Sequence, residues 1–445
     1  MKVLVLVDGE HYPPVTRWGI ESARSRGLEP VEALLVGGTE KVRPDETWDL
    51  GVPVRTARGD PASSVAAALD ELAGAGLEGV LDLSDEPILG YRERMEVAAV
   101  TLVRGLPYLG SDFRLEPPIS GPPLAVPTLA VIGTGKRTGK TAIGGAVARE
   151  AASMGLEPIL VAMGRGGPAE PQVAPAGSVT LDTLLELVRL GSHAASDYLE
   201  DAVTAGVTTI GARRAGGGLA GRPMATNVRE AAELAVALGA GFVVMEGSGS
   251  AVPSVPWDAG ILVVPAEAPA EYVGGYLGPF RLLLSDLVVV TMTASPAGLE
   301  NLSALRSHVQ RLHGDARLIV TDFQPQPLGD VEGKDVFYAT TAPGPVAERL
   351  AGTLERSHGC RVVGWSARLA DRAELAKELD GAGGYEVLLT ELKAAAVDVA
   401  CERALARGAQ VLFVDNRAVP LEGEPDLGDE LRRAIGLAIE RESHR

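Results

Sequence analysis

The chain has 445 residues, 46% of them hydrophobic, and its 41 basic and 59 acidic residues give a formal net charge of −18 at pH 7. That apolar content supports a large core in roughly two or three domains and excludes a disordered, collagen-like or coiled-coil chain. The acidic excess argues against a general nucleic-acid or anionic-membrane binder, and no apolar run approaches the roughly 18 residues of a membrane span.

Short β-branched runs alternate with Ala/Leu/Glu-rich amphipathic segments throughout, which predicts an α/β fold with mostly parallel sheets. The opening run Met1–Val7 stops at Asp8, too short for a secretory core and typical of a first buried strand. Val31–Val36 and Gly79–Leu83 continue the strands, with helices over Val15–Ser25, Ala62–Ala73 and Pro87–Val103. The proline-rich stretch 116–123 can sustain neither element and reads as a linker ending a small Rossmann-like N-terminal domain at about residue 124. A central domain over 125–350 follows, with strands at Leu129–Ile132, Pro158–Ala162, Val207–Ile210, Phe242–Met245, Ile261–Val264, Leu287–Val290 and Leu318–Thr321. The region 351–445 adds strands at Val362–Trp365, Val387–Leu389 and Val411–Val414 and helices over Ala367–Leu379, Glu391–Arg407 and Leu427–Glu440. It is either a third α/β domain or an extension of the central sheet. Two cysteines, Cys360 and Cys401, suit a reducing cytoplasm better than a disulfide framework.

Seven of the basic residues are lysine, and two of these stand four apart in Gly133-Thr134-Gly135-Lys136-Arg137-Thr138-Gly139-Lys140-Thr141, between a strand and a helix. This is the context of a phosphate loop, with Thr134 where the first glycine of G-x-x-x-x-G-K-[ST] usually stands. Small residues let backbone N–H groups approach phosphate oxygens, a helix N-terminus faces the anion, and Lys140 and Thr141 serve the β/γ-phosphates and Mg²⁺. The Gly-Thr-x-x-x-x-Gly-Lys-Thr form resembles the loop of dethiobiotin synthetase and related P-loop ATPases. Lys136 and Arg137 stabilise the transferring group, hold a second phosphorylated substrate, or are solvated loop charges. The signature lysine of partner-regulating ATPases directly follows the first loop glycine. Thr134 occupies that position here, which counts against an ATP-driven switch.

Glu246 ends the apolar run Phe242–Met245 and precedes a Gly/Ser turn, where a P-loop enzyme needs a carboxylate for Mg²⁺. Two further strands run into Arg/Gly segments, Gly164-Arg165-Gly166-Gly167-Pro168 and Gly211–Arg222, the second containing Arg213, Arg214, Gly216 and Gly217. Open α/β sheets bind ligands at such strand ends, and arginine forks suit phosphate or carboxylate. The windows 133–141 and 211–222 each hold three basic residues and no acidic one, a local inversion that points to an anion beyond the nucleotide. Weaker candidates are the turn Asp8–Pro13, the helix start Ser192–Asp197, the stretch Thr340–Pro343 as a neighbour of the adenine, and the helix start Glu391–Asp398 with its rare Lys393. The six histidines show no zinc spacing.

The ordered set Gly133–Thr141, Gly164–Pro168, Ala195–Ala202, Thr209–Arg214 with Gly216–Gly218, Glu246–Gly249 and Glu391–Ala396 resembles the cyclic 2,3-diphosphoglycerate synthetase family over nearly the whole chain. The resemblance implies a cytoplasmic, dimeric ligase that uses ATP and Mg²⁺ to join the two phosphates of 2,3-bisphosphoglycerate. It places the nucleotide on Gly133, Thr134, Gly135, Lys136, Arg137, Thr138, Gly139, Lys140 and Thr141. Mg²⁺ falls to Thr141 and Glu246, the substrate to Arg165, Gly166, Arg213, Arg214, Gly216 and Gly217, and catalysis to Lys136, Lys140, Arg213 and Arg214. A different P-loop kinase or ligase acting on a small acid such as 2-phosphoglycerate shares all of these sites.

Overall fold

A computed structural model describes residues 1–38, 48–294 and 296–445, so Lys41 falls outside the described residues. The first strand, Lys2–Val7, is buried from Val3 onward and becomes the centre of a six-stranded sheet. Its order is Val54–Thr56, Glu29–Leu35, Lys2–Val7, Gly79–Asp82, Tyr108–Leu109, Arg114–Leu115, parallel except for the last pair. The helix expected from Pro87 begins instead at Tyr91. The residues before it form a turn tied to the end of the first strand, where Asp8 accepts from the Asp85 amide at 2.7 Å.

The second sheet has 13 strands and carries the phosphate loop near its middle. The loop's strand, Thr128–Gly133, lies between Phe242–Glu246 and Ala259–Pro265, all three parallel. Pro158–Gly164 and Thr208–Ala215 extend the sheet on the first side. Leu287–Thr291 and Arg317–Pro327 extend it on the other. The C-terminal region continues this sheet. Arg317–Pro327 pairs antiparallel with Gln410–Pro420, from Thr321 opposite Pro420 to Pro327 opposite Val414. Val387–Thr390, Asp335–Ala339 and Arg361–Ser366 then follow in parallel.

Helix Lys140–Ser153 buries Ile143, Val147, Ala148 and Ala151 on the sheet, and Leu431, Ala434, Ile435 and Ala438 of the C-terminal helix Leu427–Ser443 complete the same core. The N-terminal domain docks through helix Tyr91–Val103, with Leu277, Phe280 and Ala220 of the central region sharing its apolar cluster. Arg311 reaches across to Glu96 at 2.8 Å. The helix expected from Glu391 is delayed. A turn with Ala394 at φ +48° leads into a π-helical segment, Ala396–Cys401, before the helix Glu402–Ala406. The cause is local: Glu391 is bonded to Thr340, Thr341 and Asn416 and so cannot start a helix freely.

Candidate active site

The loop between Gly133 and Lys140 is shaped by contacts that sequence alone does not display. Gly139 takes φ +94° and faces the ring of Phe323, which leaves no room there for a Cβ. Arg137, though not glycine, sits at φ +59°, a conformation normally disfavoured for its residue type. Thr291 donates from Oγ1 to the Thr138 carbonyl at 2.8 Å, fixing the loop to the end of a neighbouring strand. Lys140 is 8% exposed, and its Nζ donates to the Gly135 carbonyl at 2.8 Å and lies 3.3 Å from Thr138 Oγ1. Burial lowers the Lys140 ammonium to about 8, against the pull of Glu246 and Asp197. Lys136 and Arg137 are exposed on the loop's rim.

Glu246 ends its strand only 3% exposed, with Oε2 3.5 Å from the Thr141 hydroxyl. Its Oε1 has no hydrogen-bond partner among the described residues. Gly144 makes space for it, because a Cβ there would stand 1.9 Å from Oε1. Burial, reinforced by Asp197, pushes the Glu246 carboxyl up to about 8. A hard cation suits this pair: one hydroxyl and one orphaned carboxylate oxygen face the phosphate loop. Among the described residues no group of three or more His, Cys, Asp or Glu forms a metal cage. A site completed by nucleotide phosphates and water matches Mg²⁺, which keeps few protein ligands.

Arg213 and Arg214 are not in a loop. The strand expected to end near Ile210 runs on to Ala215, pairing Arg213 with Gly164 and Arg214 with Thr226. Alternation along the strand then sends the two guanidinium groups to different partners. Arg213 donates from Nε to the Gly167 carbonyl at 3.0 Å, and its amide donates to Asn227 Oδ1 at 2.6 Å. Arg214 donates to the carbonyls of Gly216 at 2.5 Å and Ser248 at 2.8 Å. With Arg165, Gly166, Thr226 and Asn227 they line a cavity of about 470 Å³. Gly216 and Gly217 lie in the exposed turn beyond it, and Gly216 takes φ +72°. The phosphate loop, Arg165 and the end of the Arg213–Arg214 strand all lie at the C-terminal ends of parallel strands of one sheet. Burial and Arg165 together lower Arg214, opposed by Asp197.

Residue reading missed the acidic face of helix Asp197–Ala205. Asp197, Glu200 and Asp201 stand at helical spacing, and that spacing was the available signal. Asp197 lies against Gly164 and influences Lys140, Glu246 and Arg214. Asp201 is fully buried, and neither of its carboxylate oxygens has a hydrogen-bond partner among the described residues. Burial, with Glu246 and Glu200 adding to it, raises its carboxyl well above the usual range. Two of the weaker candidates are bonded within their own surroundings. Asp8 accepts from the amides of Glu10, His11 and Asp85, closing a turn. Thr340 and Thr341, read from the sequence as adenine neighbours, both donate their hydroxyls to Glu391 at 2.7 Å.

Three family models match the chain in order: the cyclic 2,3-diphosphoglycerate synthetase N-terminal domain over residues 2–116, its P-loop domain over 128–322 and its C-terminal domain over 327–417. Curated relatives named cyclic 2,3-diphosphoglycerate synthetase align along nearly their full length. The protein from Rubrobacter xylanophilus is 46% identical, with 98% of each chain covered. That from Methanothermobacter thermautotrophicus is 42% identical, covering 99% of this chain and 96% of its own. That from Methanothermus fervidus is 39% identical, covering 99% and 98%. Among the described residues no helix is long and apolar enough to cross a membrane.

Proposed function

The chain belongs to the cyclic 2,3-diphosphoglycerate synthetase family, and we propose that it uses ATP to close the two phosphates of 2,3-bisphosphoglycerate into an internal anhydride. The observation that carries this reading is a phosphate loop and a second, arginine-lined cavity at the C-terminal ends of parallel strands of one sheet. One nucleotide and one small polyanion are what such a pair accommodates.

Joining two phosphates is uphill in water, so one must be activated first. An oxygen of one substrate phosphate attacks the γ-phosphorus of ATP, and the bond to the bridging oxygen breaks, releasing ADP. The second substrate phosphate then attacks the phosphorus of the activated one. The bond from that phosphorus to the bridging oxygen breaks, and the transferred group leaves with that oxygen as inorganic phosphate. No strong base is required, because phosphate oxygens are already ionised at neutral pH. Lys140, with Lys136 at the rim, offsets charge on the transferring group. Arg165, Arg213 and Arg214 hold the substrate's phosphates and carboxylate close and in line, lowering the entropic part of the barrier. Thr141 and Glu246 would hold Mg²⁺, which would supply charge neutralisation on the nucleotide. Buried Cys360 and Cys401, both free thiols, fit a reducing cytoplasm. A homodimer belongs to the same reading, and light scattering tests it.

The deciding experiment is ³¹P NMR of the protein with ATP, Mg²⁺ and 2,3-bisphosphoglycerate. The expected result is a cyclic anhydride signal growing with ADP and phosphate. ADP accumulating without that signal, while 2-phosphoglycerate or another acid is phosphorylated, would assign the site to a kinase instead.

A further inference from the structure

We infer that Lys393, contributed by the C-terminal part of the sheet, is a positioning residue that fixes the acidic helix Asp197–Ala205 beside the phosphate loop. The two segments are remote in sequence, yet Lys393 Nζ lies 3.0 Å from Glu200 Oε1. Glu200 is 9% exposed; its helix neighbour Asp197 acts on both Lys140 and Glu246, and Asp201 is itself raised by Glu246. The position of Lys393 is itself tightly fixed. Glu391, two residues earlier, accepts from Thr340 Oγ1, from the amide and hydroxyl of Thr341, and from Asn416 Nδ2, at 2.7 to 3.1 Å. Ala394 follows at φ +48°, a strained turn for a residue with a Cβ, and it redirects the chain immediately after the lysine. The buried face of the segment that follows, with Ala395, Ala396, Val399 and Ala400, locks the turn to the C-terminal core.

Electrostatics agrees with this geometry. Burial alone would lower the Lys393 ammonium, but Glu200 and Glu391 outweigh it and hold it above its ordinary value. Glu391 is held below the usual carboxylate range: burial pushes it up, and Lys393 with the four donors more than compensates. One lysine therefore joins a rigidly bonded carboxylate of the C-terminal sheet to a carboxylate of the active-site helix. Had Lys393 been only a surface cation, neither the fourfold-bonded Glu391 nor the strained turn would be needed. Lys393 acts through Glu200, the partner its ammonium meets at 3.0 Å.

The inference rests on the cyclisation proposed above, which the unaltered protein assayed in parallel tests by itself. Three variants, Lys393→Met, Lys393→Arg and the double variant Glu200→Gln/Lys393→Met, are compared by kcat and KM for ADP release with 2,3-bisphosphoglycerate and by Tm. Lys393→Met is expected to lower kcat by about tenfold or more while KM for either substrate moves by less than about threefold. Lys393→Arg, which keeps the charge, is expected to recover most of kcat. The double variant leaves no bare buried charge, so it is expected to recover Tm but not kcat. Unchanged kcat in folded Lys393→Met, or recovery of kcat together with Tm in the double variant, overturns the proposal in favour of a purely structural ion pair. Should Lys393→Met not fold, kcat of the double variant decides the question alone.

Discussion

Gly144 shows how one hydrogen atom decides the site. The residue lies in the first turns of the phosphate-loop helix, where alanine is normally the better helix former. A methyl group there would occupy the place of Glu246 Oε1. Gly144→Ala should therefore displace Glu246, cost about 1–3 kcal/mol by overpacking, and reduce ADP formation by about two orders of magnitude at fixed Mg²⁺, partly restored at higher Mg²⁺. Denaturant unfolding and a Mg²⁺ titration of turnover check both parts. Arg213 provides the contrasting case. It lines the arginine cavity and donates to the Gly167 carbonyl, and among the described residues no hydrogen bond joins it to the phosphate loop. Arg213→Ala should abolish anhydride formation while ATP affinity changes by less than about threefold, measured by calorimetry with a non-hydrolysable nucleotide. Loss of nucleotide binding would move this arginine to the other side of the site.

At the scale of elements, the helix Asp197–Ala205 and the strand Thr208–Ala215 build most of what the loop needs. The helix packs on the phosphate-loop helix through Leu199, Ala202 and Ala205 and buries Glu200 and Asp201, while Asp197 at its start is exposed. Burial pushes the Glu200 carboxyl up to about 7, although Lys393 opposes it. A carboxyl whose folded pKa is raised contributes stability that is complete below its ordinary value, near 4.3, and is lost as pH rises through about 7. Glu200→Gln should therefore flatten the fall of Tm between pH 5 and pH 8 in the nucleotide-free protein, as thermal scans across that range would show. A slope unchanged from the unaltered protein would assign the pH dependence to other groups. The start of this helix was legible as a polar segment at Ser192–Asp197, but its buried carboxylates were not. Amphipathic pattern gives a face, whereas the object that face meets is set by the sheet.

The central and C-terminal regions share one sheet, and the C-terminal helix packs across its middle. Ile435 is fully buried there, in the core shared with the phosphate-loop helix, and Arg441 pairs with Asp286 at 2.6 Å. Ile435→Ala should cost about 2–5 kcal/mol in unfolding free energy, read from urea denaturation, with kcat/KM at 25 °C almost unchanged in the folded fraction. A loss of activity without loss of stability would place this helix in the mechanism. Elsewhere Arg281, 7% exposed, donates to the carbonyls of Leu219, Ser250 and Leu277. Burial lowers it to about 10, so it stays charged at neutral pH while tying the glycine-rich turn after Arg214 to the core.

Local chemistry was readable from the chain because it is contiguous. The phosphate loop needs a strand, small residues, a lysine and a helix start in immediate succession, and residues 128–141 supply them in order. The strand-end carboxylate Glu246 and the arginines beside glycines were likewise legible from residue type and position. Convergence was decided by the tertiary structure. Arg165 and Arg213 reach one cavity because their strands pair in parallel register, and pairing register is a property of two segments, not of either. The extension of that strand through Arg214 came from hydrogen bonds to strands on both sides, which override the turn signal of its glycines. Lys393 became a partner of Glu200 because the C-terminal strands extend the sheet carrying the phosphate loop. Sequence therefore determined which groups are available for phosphate chemistry, and the sheet decided which of them share a low-dielectric space, where charge interactions are strong enough to direct it.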